Sequence, residues 1–307
     1  MARTVLIDPD EDRKMRDVAM AWLTDLPKTE DGWVKQRQLE DFEFNGERLP
    51  LMDRQAGIRK PAGYDTALSM RTVYTPAGKK PPYEDSLGDD GLQRYNYRGE
   101  DPTHPDNVGL RNAYARDLPL IWFLGAADAF YLPKYPIWII GDEPEKLQFV
   151  IAVSEEQKPE NTGPITTTTQ KRIQKRLTNL RLHQPLFSTR VRHAYKHRCA
   201  MCGLGYKGLI EAAHIIPDSE PDGHPEVWNG LALCKLHHGA YDSGIIRIHP
   251  DNFVMEVRED VLADRSTEPM LVHGLQGLHG KRLRLPHPSH HPSKNALLWR
   301  YNKVRGI

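Results

Sequence analysis

Cysteine is scarce in this sequence, with only three in 307 residues. A small, odd set excludes a disulfide framework as the basis of the fold. Long apolar runs are missing too: none approaches the ~20 residues that a membrane span needs. The opening "MARTVLIDPDEDRK" lacks the basic, apolar and small-residue succession of a signal peptide. A cytoplasmic protein without a membrane partner is therefore expected. An excess of charge of either sign is also absent, because 42 Lys and Arg face 41 Asp and Glu. The molecule as a whole does not advertise a polyanionic or polycationic partner.

What is present is an ordinary globular composition, 39% hydrophobic and 27% charged, on a chain long enough for two cores of roughly 100 to 150 residues each. The charge is unevenly spread. From Asn161 to Arg198 there is no acidic residue, while Lys171, Arg172, Lys175 and Arg176 open a basic run continued by Arg181, Arg190, Arg192, Lys196 and Arg198. Such a run is either a solvated helix face or a surface for nucleic-acid phosphates.

Along the chain, "PDEDRKMRDVAMAWLTDL" at 9–26 places Met15, Val18, Ala19, Trp22 and Leu23 at helical spacing behind an acidic first turn, predicting an N-terminal helix. From about 40 to 153 short apolar or alternating runs such as "LPLIWFLG", "YPIWIIG" and "LQFVIAVS" are broken by Gly, Pro and Asp. This is the texture of a β-rich, barrel-like domain, with a helix expected at 104–117. Residues 154–170, polar and rich in Pro, Gly and Thr, read as a linker. A second domain is expected over 171–307, beginning with basic helices, while the tail from 250 carries no clear pattern beyond a histidine-rich "HPSHH".

All three cysteines lie between 199 and 234. Cys199 and Cys202 are spaced C-x2-C, the knuckle that lets two thiolates reach one ion, and Cys234 with His237 repeats the spacing after 31 residues. Three sulfurs and one imidazole close a tetrahedral structural Zn2+ site with no open position. Between these half-sites His214 is followed by fourteen residues and Asn229, then by eight residues and His238.

That H-x14-N-x8-H pattern within "EAAHIIP" and "NGLALC" closely resembles the HNH nucleases over about 195–249. The resemblance implies a ββα-metal fold around one catalytic divalent cation, Mg2+ or Mn2+. It implies His214 as general base, since imidazole is well matched to take a proton from water near neutral pH. His238 becomes a ligand of the catalytic metal and Asn229 the residue that fixes the loop orienting the base. Many family members carry an acidic or histidine metal ligand just before the base; here that position is Ala213. Asp242, one helical turn beyond His238, is the replacement if the helix continues, with a cap or an ion pair as its other possible use. Glu211 ranks lower, because strand alternation sets it opposite His214.

The N-terminal part resembles the SRA (SRA/PUA-type) domains, readers that flip a modified cytosine, through "PPYEDSLGDDGLQRYNYRG", "DNVGLRNAYA" and "LPLIWF". On that resemblance Tyr83 and Tyr97 sandwich the flipped base, with Tyr95 as the other choice for the second ring, and Asp85 accepts from its exocyclic amine. Arg98 stands where the family has a small hydroxyl residue. The same tyrosines also suit the core of a barrel. Arg59 and Lys60 are candidates for a DNA-facing loop.

Together these readings give an α+β chain: an SRA-like reader at 1–153, a linker at 154–170 and a zinc-stabilised HNH domain at 171–307. The expected activity is cleavage of double-stranded DNA containing 5-methylcytosine or a related base, by a homodimer that supplies two active sites. A nuclease for unmodified or structured DNA, and a zinc-stabilised DNA-binding module without hydrolysis, are the competing readings.

Overall fold

The computed structural model describes residues 8–53, 55–74 and 87–304. They form two compact units that divide between Leu186 and Phe187.

The first unit opens with helix α1 (Pro9–Asp25). Asp8 caps it by accepting from the Asp10 amide, and Asp10, Glu11 and Asp12 complement the positive end of its dipole. Met15, Ala19 and Leu23, four residues apart, are fully buried, while Val18 faces outward. The strands are β1 (Val34–Lys35), β2 (Glu43–Phe44), β3 (Glu47–Arg48), β4 (Ile58–Arg59), β5 (Ser69–Thr72), β6 (Gln93–Asn96), β7 (Leu120–Ala127), β8 (Phe130–Glu143) and β9 (Gln148–Ala152), with helix α2 (Pro105–Ala115) ahead of β7. Among the described residues β2 and β3 pair only with each other; the other strands of this unit form one sheet ordered β4-β5-β7-β8-β9-β6, with β1 added to β8.

Among the described residues only the β5–β7 pair is parallel. Register shifts along β7–β8 and β8–β9 bend the 14-residue β8, and the sheet curls into a half barrel with β4 and β6 at its ends. The expected barrel is thus an open one. Strand β7 explains its own apolar sequence. Leu120, Trp122 and Leu124 enter one core with Tyr95, Tyr97 and α2, while Ile121 and Phe123 enter the other with α1. A strand buried on both faces has no polar alternation to show.

Residues 154–170, read from composition as a linker, fold with this unit. Gln157 is fully buried; its side chain accepts from the Val153 amide (2.8 Å) and donates to Thr178 Oγ1 (2.9 Å). Helix α3 (Pro159–Thr162) follows, then α4 (Thr168–Thr178), capped by Thr167, and α5 (Gln184–Ala194). Helix α4 packs through Gln174 and Thr178, both buried. Thr178 donates to the Gly91 carbonyl (2.9 Å), and a Cβ at Gly91 would come within 2.4 Å of the Lys175 amide nitrogen. Its buried face is polar, while Ile173, apolar and at helical spacing in the sequence, is exposed.

In the second unit β10 (Ile210–His214) and β11 (Gly230–Cys234) form an antiparallel pair, with His214 opposite Gly230. Helix α6 (Lys235–Asp242) follows β11 without a loop, completing a ββα unit. A second hairpin of β12 (Ile246–Ile248) and β13 (Met255–Val257) leads to short helices α7 (Glu259–Ala263) and α8 (Pro269–Val272) and the longer α9 (Lys294–Val304). The tail that lacked a readable pattern is part of the core. Leu278, Leu283, Ala296 and Leu297 are buried with Leu231, Leu233 and Tyr241, each large side chain contributing roughly 1.5–3 kcal/mol. No described helix is long and apolar enough to cross a membrane.

Candidate metal centre and nuclease site

The ligand atoms of Cys199, Cys202, Cys234 and His237 all lie within 4.8 Å of one another. Two local features gather them. After Cys199 the chain turns tightly, with the Gly203 amide donating to the Cys199 carbonyl (2.8 Å) and Gly203 at φ +80°, the left-handed region glycine favours. The second pair straddles the strand-to-helix junction, Cys234 capping α6 and His237 one turn in.

The His237 ring directs Nδ1 to Cys234 Sγ (3.2 Å) and Cys199 Sγ (3.4 Å), and Nε2 donates to the Gly274 carbonyl (2.7 Å). A carbonyl on the far nitrogen fixes which nitrogen faces the metal. Hydrogen bonding from Cys202, reinforced by His237, lowers the Cys199 thiol to about 3. The same pairing raises Cys202, and burial raises Cys234. Donor chemistry and spacing fit a tetrahedral ion of the zinc type. The four expected ligands are brought together, and Gly274, a backbone partner with no side-chain signal, is added to them.

At the other end of the hairpin, His214 ends β10 and stacks on Phe187, with ring centroids 3.9 Å apart and planes 14° off parallel. Its Nε2 is buried and has no hydrogen-bond partner among the described residues. Burial lowers the pKa of His214; Asp218 and Asp242 oppose that shift and His238 adds to it.

Asn229 is fully buried and clamps the 215–229 loop. It accepts from the Ile216 amide (2.8 Å) and donates to the carbonyls of Ile216 (2.9 Å) and His224 (3.0 Å). The loop is held shut elsewhere by close backbone approach, since a Cβ at Gly223 would lie 1.9 Å from the Pro217 carbonyl oxygen.

His238, on α6, is bracketed by two carboxylates. Its Nδ1 is 2.8 Å from Glu211 Oε2 and its Nε2 is 3.3 Å from Asp242 Oδ2. Asp242 also accepts from Arg300 of α9 through Oδ1 (3.1 Å). Glu211, ranked below Asp242 as a replacement ligand, pairs with His238 itself. Alternation puts it on the face of Ala213, the position where the acidic ligand is absent, and from there it meets α6.

In the first unit Tyr95 and Tyr97 are both buried in the core that also holds Leu110 and Ala113 of α2. The Tyr95 hydroxyl lies 3.0 Å from the Gly57 carbonyl and its ring meets Trp122 edge-on. The Tyr97 hydroxyl donates to Asp142 and accepts from Arg111 (3.1 Å), with its ring tilted against Phe149. Tyr83 and Asp85 lie outside the described residues. Arg59 is half-buried and donates to the Pro50 carbonyl (3.0 Å), and Lys60 to the Tyr64 carbonyl (3.3 Å). On α4, Arg172, Lys175 and Arg176 are exposed and Lys171 is partly so.

Residues 199–249 match the family model described as HNH endonuclease. They are an HNH endonuclease domain, and the chain is accordingly a DNA endonuclease, a hydrolase of phosphodiester bonds. No curated protein matches the chain. Among solved structures it is similar to a modification-dependent TagI restriction endonuclease, at 18% identity over 92% of this chain and 94% of that one, with a TM-score of 0.30. It is also similar to the Type IV phosphorothioation-dependent restriction endonuclease ScoMcrA, at 13% identity and a TM-score of 0.23, covering 83% of this chain and 52% of that one.

Proposed function

We propose that the chain cleaves double-stranded DNA carrying 5-methylcytosine or a related modified cytosine, hydrolysing the phosphodiester bond in the HNH domain. One observation carries the hydrolytic part: a partly buried imidazole, His214, stacked on Phe187 and within reach of the charges of His238 and Asp242. In this mechanism His214 is the general base. Burial keeps its ring neutral near pH 7, so a lone pair is available to take the proton of an attacking water. His238 and Asp242 hold a divalent cation, Mg2+ or Mn2+. When bound, it supplies Lewis-acid neutralisation of the scissile phosphate and the leaving 3′ oxygen. Asn229 keeps the loop closed so that His214 does not drift from the phosphate. Zn2+ in the Cys199, Cys202, Cys234 and His237 site holds the hairpin to α6 and takes no part in the chemistry.

The first unit is the reader in this proposal. It supplies Tyr97, with Arg111 and Asp142 at its hydroxyl, for a base flipped out of the duplex, and Tyr83 and Asp85 are assigned to the same recognition by the sequence resemblance alone. Tyr95 supports Tyr97 from the same core. Lys171, Arg172, Lys175 and Arg176 meet the phosphates, with Arg59 and Lys60 as secondary contacts. Two copies of the chain act together, one on each strand.

The test is cleavage of two DNAs identical except for 5-methylcytosine, by the parent and by His214→Ala. The proposal expects cutting of methylated DNA by the parent alone. Equal cutting of both DNAs removes modification dependence, and a fully active His214→Ala variant removes the mechanism.

A further inference from the structure

Two adjacent histidines in "CKLHHGAYD" are anchored through opposite ring nitrogens. His237 is tied at Nε2 by the Gly274 carbonyl and turns Nδ1 to the thiols. His238 is tied at Nδ1 by Glu211 and turns Nε2 toward Asp242. A carbonyl and a carboxylate only accept hydrogen bonds, so each selects the tautomer of its histidine.

The two carboxylate contacts of His238 are unequal. At 2.8 Å, Glu211 and Nδ1 make a charge-assisted hydrogen bond of ordinary length. At 3.3 Å, Asp242 and Nε2 are too far apart for a good one. That separation is close to the ~3 Å edge between neighbouring ligands of an octahedral ion held at about 2.1 Å. The other Asp242 oxygen is engaged by Arg300, leaving Oδ2 on the His238 side.

We propose that Glu211 is a positioning residue for the nuclease centre: by accepting the Nδ1 proton of His238 it commits the Nε2 lone pair to the cation shared with Asp242. This rests on the reading of His238 as a cation ligand. Glu211 thus does for the working metal what the Gly274 carbonyl does for the structural one, and it restores in the outer shell some of the negative charge missing at Ala213. Carboxylate partners of ligating histidines act in this way in metal sites generally.

The experiment measures Mn2+ affinity of the full-length, zinc-loaded protein by electron paramagnetic resonance, for the parent, Glu211→Ala, Glu211→Gln and His238→Ala. Alongside it, 15N NMR of the histidine rings is recorded without Mn2+, with the His238 signals assigned by their loss in His238→Ala. The Glu211 side chain is 45% exposed, so both substitutions are expected to fold, and zinc content checks this.

Glu211→Ala should weaken Mn2+ binding about 10- to 100-fold and move the His238 ring toward the Nε2–H tautomer. Glu211→Gln, whose amide oxygen still accepts from Nδ1, should recover most of both. An unchanged tautomer and Mn2+ affinity within twofold of the parent in Glu211→Ala overturns the proposal. So does a Glu211→Gln variant as weak as Glu211→Ala with the tautomer unmoved, which would make Glu211 a direct ligand. Parent-like Mn2+ affinity in His238→Ala instead removes the reading of His238 as a ligand, and the role of Glu211 with it.

Discussion

Gly230 and His214 face each other across the β10–β11 pair, and the missing side chain at Gly230 makes room for the ring that covers His214. A Cβ at Gly230 would sit 2.4 Å from Val191 Cγ2 and 3.0 Å from the Phe187 ring. Phe187 lies flat on the imidazole and contributes to its burial. The state of the proposed base is therefore set by a residue 27 positions upstream that takes no direct part in the chemistry.

Gly230→Ala should displace Phe187 and Val191 and lower stability by ~1–3 kcal/mol, the usual cost of overpacking a core. Phe187→Ala should cost ~3–5 kcal/mol. Denaturant unfolding monitored by circular dichroism gives both values. Parent-like stability of Gly230→Ala would mean that the packing around His214 yields freely.

The pH dependence of cleavage follows from the same contact. Burial lowers the His214 pKa below the ordinary 6.5, so the neutral, base-competent ring predominates at and above that pH. The single-turnover rate should be flat near neutrality and fall on the acid side with a midpoint below 6.5. Phe187→Ala, by letting water reach the ring, should move that midpoint upward. The shift has a matching sign in stability: a histidine held neutral by burial stabilises the fold fully above pH 6.5, and that contribution declines as pH falls toward its folded-state pKa. A midpoint above 6.5 in the parent would contradict the assignment of the base.

The adjacent histidines should separate cleanly. His237→Ala removes a zinc ligand and should lose zinc and cooperative unfolding together, because a structural zinc site contributes folding energy directly. His238→Ala should keep one zinc per chain and a parent-like melting temperature while cleavage is lost. Elemental analysis and a thermal melt on both variants decide it, and equal zinc loss in the two would show that the division of labour is wrong.

How much of this was readable depended on whether the signal was local in the chain. The zinc set and Asn229 announce themselves because turn and helix geometry fix which residue types sit at short, regular spacings. Alternation sets Glu211 opposite His214 and on the face of Ala213, but its contact with His238 depends on where α6 packs, which no spacing along β10 reveals. Phe187 gave no signal, because an aromatic residue on an amphipathic helix is indistinguishable from ordinary core until its partner is known. Residues 154–170 looked like a linker because their buried groups are polar, and Gln157 satisfies its amide with Val153 and Thr178 rather than by apolar packing. The tail enters its core partly through Leu278 and Leu283, which no regular strand or α-helix carries, and partly through Ala296 and Leu297 on the single helix α9.

Helix α4 offers the last test, of whether the acid-free stretch of sequence works on DNA. Arg172, Lys175 and Arg176 are exposed, on a helix whose inward face is already occupied by Gln174 and Thr178. If Lys175 and Arg176 each neutralise one phosphate, replacing both by Gln should reduce the slope of log binding constant against log salt by about 2, since each contact contributes roughly 0.9 on duplex DNA. Affinity should fall by a similar factor for methylated and unmethylated DNA, because phosphate contacts carry no base information. Fluorescence anisotropy between 50 and 200 mM salt would measure both, at about the range over which such slopes are resolved. An unchanged slope would return α4 to the reading of a solvated helix face, and a loss confined to methylated DNA would place these side chains in base readout instead.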